Sequence, residues 1–335
     1  MQSENNIKLT AAEISGLWSA YMSDSLSICV LKYFLEKAED PEIRSVVEYA
    51  LELAQTHIVK LTAIFNGEGF PIPYGFKEDE DVDITAPKLF SDAYFIYYLK
   101  QWSSIGLEAY SLSLAMATRS DVFGYFSQCM EESKKLLEKT NNVLLSKGLY
   151  IKAPYVTTPK KVHFVEKQSF LTGWFGERRS LTTLEVSNLY GNLQRNVFAL
   201  TTFIGFGQVA KSKEVVNLML SGKEIASKHI DIYSTVLKEN DLPASMSWDN
   251  QVLDSTVSPF SDKLILFHVN SLAIGAIGYY GTSLASSSRR DLSAHYMRIL
   301  VEVLKYTEDA AELLIENGWM EQPPIVVDHV KLAKT

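Results

Sequence analysis

The chain repeats itself, and the repeat limits what it can fold into. Leu9-Thr10-Ala11-Ala12-Glu13 recurs 172 residues later as Leu181-Thr182-Thr183-Leu184-Glu185. At the same offset Ser15, Leu17 and Phe34 match Ser187, Leu189 and Phe206, His57-Ile58 matches His229-Ile230, and Pro71 matches Pro243. The offset then becomes 170: Phe90-Ser91-Asp92 matches Phe260-Ser261-Asp262, Arg119 matches Arg289, Glu132 matches Glu302, and Gly148 matches Gly318. The two-residue change falls in a loop, where length is tolerated best. A chain repeated in this way is two copies of one unit. Within each copy, Glu52–Gly69 and Glu131–Gly148 share spacing, which makes the unit a pair of helical hairpins.

Each copy reads as four long helices. Thr10-x-x-Glu13 and Thr182-x-x-Glu185 are capping boxes, in which hydroxyl and carboxylate each take an orphan backbone N–H. The first helix runs to about Lys37, and Asp40-Pro41 opens the second, proline being tolerated in a first turn. Ile43, Val46, Val47, Ala50, Ala54, His57 and Leu61 recur at helical spacing, and Asn66-Gly67 closes that helix. Residues 68–87 form a long crossover. The third helix is predicted from about Lys88 to Thr118 and the fourth from about Asp121 to Lys147. The fold class is therefore all-α: two tandem four-helix bundles of ferritin-like type. The boundaries are 8–150 for the first bundle, 151–180 for a linker with a docked apolar segment (Phe170–Gly176), 181–322 for the second bundle and 323–335 for a C-terminal tail.

With 40 Asp+Glu against 32 Lys+Arg, the chain lacks the clustered positive charge that nucleic acid requires. Cys29 and Cys129 are too few for a disulfide scaffold, and no apolar leader precedes Thr10, so a cytoplasmic setting is expected. Leu264–Ala285 is long and apolar enough for a membrane span, but it contains His268 and Asn270 and repeats a segment that is plainly soluble, so no span is expected. Gly275, Gly278 and Gly281 mark a small-residue face for core packing, bundle contact, a homodimer surface or a flat groove. Tyr94, Phe95, Tyr97 and Tyr98 read as core and interface filler.

A di-iron bundle needs Glu-x-x-His on two helices. Neither copy has it: Ala54 precedes His57 and Ala226 precedes His229, while Lys135 follows Glu132. Motifs for nucleophilic hydrolysis, phosphate binding and dithiol chemistry are missing too, so no catalytic or cofactor-binding residue is assigned. Polar residues nonetheless mark the inward faces. Asp24, His57 and Glu132 all fall near mid-helix, and their counterparts are Asn196, His229 and Glu302. One reading is a mononuclear metal site for Fe, Mn or Zn, more complete in the first copy. The other is a set of buried polar residues that satisfy one another. His268 and His295 are further polar positions of the second copy, and the two cysteines read as small core residues.

Leu31-Lys32-Tyr33-Phe34-Leu35-Glu36, the linker string Gln168–Gly176 and Glu316-Asn317-Gly318-Trp319 resemble a family of unknown function from spore-forming bacilli. That family is similar to small ferritin-like spore-coat proteins. The resemblance spans essentially the whole chain. It implies a ferritin-like fold and a link to sporulation or stress, and it supplies no catalytic residues. Three roles follow as expectations: a structural or interaction protein with homo-oligomeric or coat-type partners, a metal-binding protein, and a carrier of small apolar molecules between the bundles.

Overall fold

The structure, a computed structural model, describes residues 8–173, 178–244 and 249–329. The first copy contains α1 (Ala11–Lys37), α2 (Pro41–Gly67), a short α3 (Glu78–Asp81), α4 (Asp92–Met116) and α5 (Ser120–Ser146). The second contains α6 (Thr183–Val209), α7 (Lys213–Lys238), α8 (Asp262–Ser286) and α9 (Arg290–Glu316). Among the described residues, β-structure is limited to two isolated bridges. In each copy consecutive long helices pack as hairpins, α1 with α2 and α4 with α5, then α6 with α7 and α8 with α9. The hairpins then pack on each other, giving two tandem helical bundles.

Duplicated polar clamps fix the helix ends. Both capping boxes form. The same glutamates reach across the bundle: Glu13 accepts from the N–H of Thr118 and Arg119 at 2.9 Å, and Glu185 from the N–H of Arg289 at 3.0 Å. Asp92 accepts from the N–H of Glu39 (3.0 Å) and Asp40 (2.6 Å). Its counterpart Asp262 accepts from Lys211 (3.0 Å) and Ser212 (2.6 Å). Gly148 and Gly318, both at φ 67°, end α5 and α9 in the left-handed conformation that glycine adopts without penalty.

The two bundles face each other about a pseudo-two-fold axis. Val82 bridges Phe260, and Phe90 bridges Val252; at the 170-residue offset these bridges are images of one another. This pairing explains why α4 starts at Asp92 rather than near Lys88. Ser91 is its N-cap, and Leu89 and Ser91 are held by the other copy, through Leu253 N–H to Leu89 C=O (2.8 Å) and Ser91 N–H to Gln251 C=O (3.0 Å). Behind the bridges, Phe90 stacks on Tyr94 at 3.9 Å and Tyr94 on Phe198 at 5.2 Å. The Tyr94 and Thr202 hydroxyls hydrogen-bond at 2.8 Å. One apolar cluster thereby runs through both copies.

Among the described residues, α8 is long and apolar enough to cross a membrane. It packs between α6 and α9, as α4 packs in the first copy, with His268 and Asn270 buried. Of the readings left open for the small-residue face of α8, close packing at its three glycines is not the one that forms. A β-carbon added at Gly275, Gly278 or Gly281 would meet nothing within 4 Å, so no element described here packs against those glycines. Within the linker the Arg179 guanidinium sits over Phe170 at 4.0 Å, and Gly173 packs on Asp291 of α9. The Trp174–Gly176 part of its apolar string lies outside the described residues.

Candidate functional site: a polar layer in the first bundle

In the first bundle the apolar core is split in two. One part joins the shared cluster. The other, around Leu17, Leu61, Phe65, Phe126 and Cys129, fills the far end. Between them lies a layer of ionisable side chains. The helical stripe of α2 points His57 inward, and the ring is buried. Its Nδ1 lies 3.3 Å from Asp24 of α1, and its Nε2 lies 2.7 Å from a carboxylate oxygen of Glu132 on α5. Gln128 donates to the other Glu132 oxygen at 2.6 Å, and Lys60 of α2 hydrogen-bonds Gln128. The layer thus runs from the surface at Lys60 to the buried Asp24.

Asp24 and Glu132 flank opposite edges of one imidazole, and this sets its charge. Burial pulls the His57 imidazolium down, but the Asp24 charge and its hydrogen bonds to Asp24, Cys129 and Glu132 outweigh it and push the ring up to about 12. Burial pushes Asp24 up against the pull of His57; with two carboxylates on one ring, the direction that governs the group is the raised histidine. Burial also raises Glu132, but the hydrogen bonds from His57 and Gln128 bring it below its ordinary value.

The sequence placed Asp24, His57 and Glu132 at one depth, and the structure brings them together with His57 in the middle. The donor atoms that converge are a different trio. His57, Cys129 and Glu132 each offer a ligand atom, and these atoms lie within 4.8 Å of one another. Cys129 had read as core filler. Its spacing from Glu132 on α5, one turn apart on a shared face, was the available signal. Cys29 is buried among apolar residues, and burial pushes its thiol up to about 12, consistent with a core role.

The second copy has kept the positions and changed the chemistry. His229 Nε2 lies 3.1 Å from Glu302, but Lys228 also donates to Glu302, at 2.6 Å. Asn196, in the place of Asp24, donates to the Tyr280 hydroxyl and to the Asn192 carbonyl, both at 2.8 Å. His229 Nδ1 is left buried without a partner. Burial here prevails over Glu302 and lowers the histidine. Ile299 stands where the first copy has Cys129. His295 lies away from this layer, beside Arg178, Asp231 and Glu239. His268 is buried among Tyr98, Trp102 and Phe206, and burial lowers it to about 3.

Comparison with known proteins bears on both copies. A family model described as "Protein of unknown function (DUF3231)" matches twice, over residues 1–162 and 169–332. The chain belongs to this family. The double match makes the DUF3231 unit the repeating unit read from the sequence. No curated protein matches. A solved structure described as a putative spore coat protein from Bacillus halodurans C-125 is 18% identical, with 47% of this chain and 100% of that chain covered and a TM-score of 0.41.

Proposed function

We propose that this DUF3231 chain is a metal-binding protein with one mononuclear site, in the first bundle, and that the second bundle is its structural partner. The observation that carries the reading is the convergence of His57, Cys129 and Glu132 donor atoms within 4.8 Å, against Ile299 at the cysteine position of the second copy. Nitrogen, thiolate and carboxylate together suit zinc or ferrous iron. Three protein ligands leave a coordination position for water or a further ligand, the pattern of working rather than purely structural sites. Asp24 acts from behind: by accepting from Nδ1–H it fixes the tautomer that presents Nε2 to the ion. The ion takes the place of the proton between Nε2 and Glu132, so binding strengthens as pH rises. Mid-helix ligands on inward faces also favour a ferritin-like origin, with 8–150 and 181–322 as the functional halves. Elemental analysis of protein purified without an affinity tag tests the reading. One zinc or iron per chain, lost in Cys129→Ser, supports it; metal-free protein that takes up none on addition contradicts it.

A second reading, an interaction role, has its own observation. Tyr155 and Val156 leave the first bundle exposed, and Ile325 and Val326 leave the second at the equivalent positions. Such paired apolar tails suit docking to other proteins. Sedimentation of the full chain against a Tyr155→Ser, Ile325→Ser variant separates the cases: an assembly that the variant dissolves favours this role, and identical monomers oppose it.

A further inference from the structure

A cavity of about 160 Å³ lies in the first bundle, bounded by α1, α2, α4 and α5 and reaching Asp24 and His57. Small side chains hold it open, Ser19 and Ser23 on α1 facing Gly106 and Ala109 on α4. Three aromatic residues, Tyr98, Trp102 and Tyr110, and the Asp24 carboxyl line its interior. Asp24 is 7% exposed. Both its oxygens lie 3.3 Å from His57 Nδ1, and one of them is buried and makes no hydrogen bond. A carboxylate beside aromatic faces is the arrangement that recognises organic cations.

The second copy supports the same chemistry by contrast. It has a cavity at the equivalent positions, of about 70 Å³. Ser23 and Ala109 are replaced there by Arg195 and Tyr279, which both line the cavity, with the guanidinium 3.2 Å from the ring centroid. Asp24 and Trp102 are replaced by Asn196 and Leu272. The copy without the carboxylate and tryptophan carries its own cation on an aromatic ring. The copy that keeps them has room for a cation from outside.

We propose that the first-bundle cavity binds a small organic cation, an alkylammonium or quaternary ammonium compound, with its charged group against Asp24 and the Tyr98, Trp102 and Tyr110 rings. A cavity of about 150 Å³ admits benzene, so the ligand has roughly six to eight non-hydrogen atoms. The inference does not rest on the metal reading: the cavity shares Asp24 and His57 with it, but Cys129 and Glu132, which the metal needs, are not among its walls.

Calorimetric titration of the full chain with choline, with n-pentylammonium and with 3,3-dimethylbutan-1-ol, the uncharged isostere of choline, tests it. One site per chain should bind at least one of the cations, and choline should bind at least tenfold more tightly than its isostere. Asp24→Asn and Ser23→Arg should each weaken cation binding by more than tenfold, while Cys129→Ser leaves it unchanged. Ser23 lies half-buried on α1, so Ser23→Arg remains decisive if Asp24→Asn fails to fold. Absence of saturable binding by both cations, equal affinity for choline and its isostere, or undiminished binding in Ser23→Arg would overturn the proposal.

Discussion

Asp24 and His57 face each other at 3.3 Å across the first bundle, whereas their counterparts Asn196 and His229 have parted, the amide turning to Tyr280 and the Nδ1 left without a partner. The carboxyl-to-amide change, together with Ile299 in place of Cys129, therefore accompanies a histidine raised in one copy and lowered in the other. Restoring the carboxylate with Asn196→Asp is expected to raise the titration of His229, read from ring ¹⁵N shifts across a pH series. A His229 that stays lowered would show that burial, not the missing charge, sets its state.

The layer costs stability. Removing one partner of a buried ion pair leaves a charge without compensation and typically costs about 3–5 kcal/mol. His57→Leu alone, which strands Asp24 beside Glu132, is expected to fall in that range by urea unfolding. Combining it with Asp24→Leu should recover most of the loss, because apolar residues of similar size replace buried pairs at little cost. Additive losses would mean that the two side chains do not act as a pair.

Glu13 and Glu185 are buried at equivalent helix starts. Burial raises each carboxyl, but the hydrogen bonds at Thr10, Thr118 and Arg119, and at Arg179, Thr182 and Arg289, outweigh it and hold both at about 2. An unfolded glutamate titrates near 4.3. Because the folded value is the lower one, this stabilisation is full above about pH 4.5 and is lost as pH falls toward 2. Glu13→Gln should cost on the order of 2 kcal/mol at neutral pH and flatten the acid limb of the stability curve. An unchanged limb would contradict the assignment.

The bundles are locked where Gly205 meets Phe90. A β-carbon at Gly205 would fall 2.3 Å from the Phe90 ring, and that ring, stacked on Tyr94, has no free direction. Gly205→Ala should destabilise by about 1–3 kcal/mol through overpacking, and Phe90→Leu in the same chain should relieve part of it. A neutral Gly205→Ala would mean the interface is looser than described.

Local signals made most of the fold legible. Thr10, Asp40 and Thr182 cap helices at the positions their spacing predicts, because capping depends on neighbours in sequence. The start of α4 was misplaced because Ser91 is fixed by Gln251, a contact that no local pattern encodes. The candidate site was legible by element. Helical phase put His57 and Glu132 inward, but phase cannot say which edge of a ring a partner will meet. For the same reason Cys129, chemically silent as a lone apolar-face residue, emerged only with the helices in place. The pseudo-two-fold contact through Phe90 and Val252 follows from the duplication, yet its geometry needed the three-dimensional arrangement.

Titration of metal-free protein with Co²⁺, followed by absorption, tests the metal site most directly. Saturation is expected at one ion per chain with a thiolate-to-cobalt charge-transfer band, abolished by Cys129→Ser and retained in Cys29→Ser. No saturable signal, or a band that survives Cys129→Ser, would contradict it.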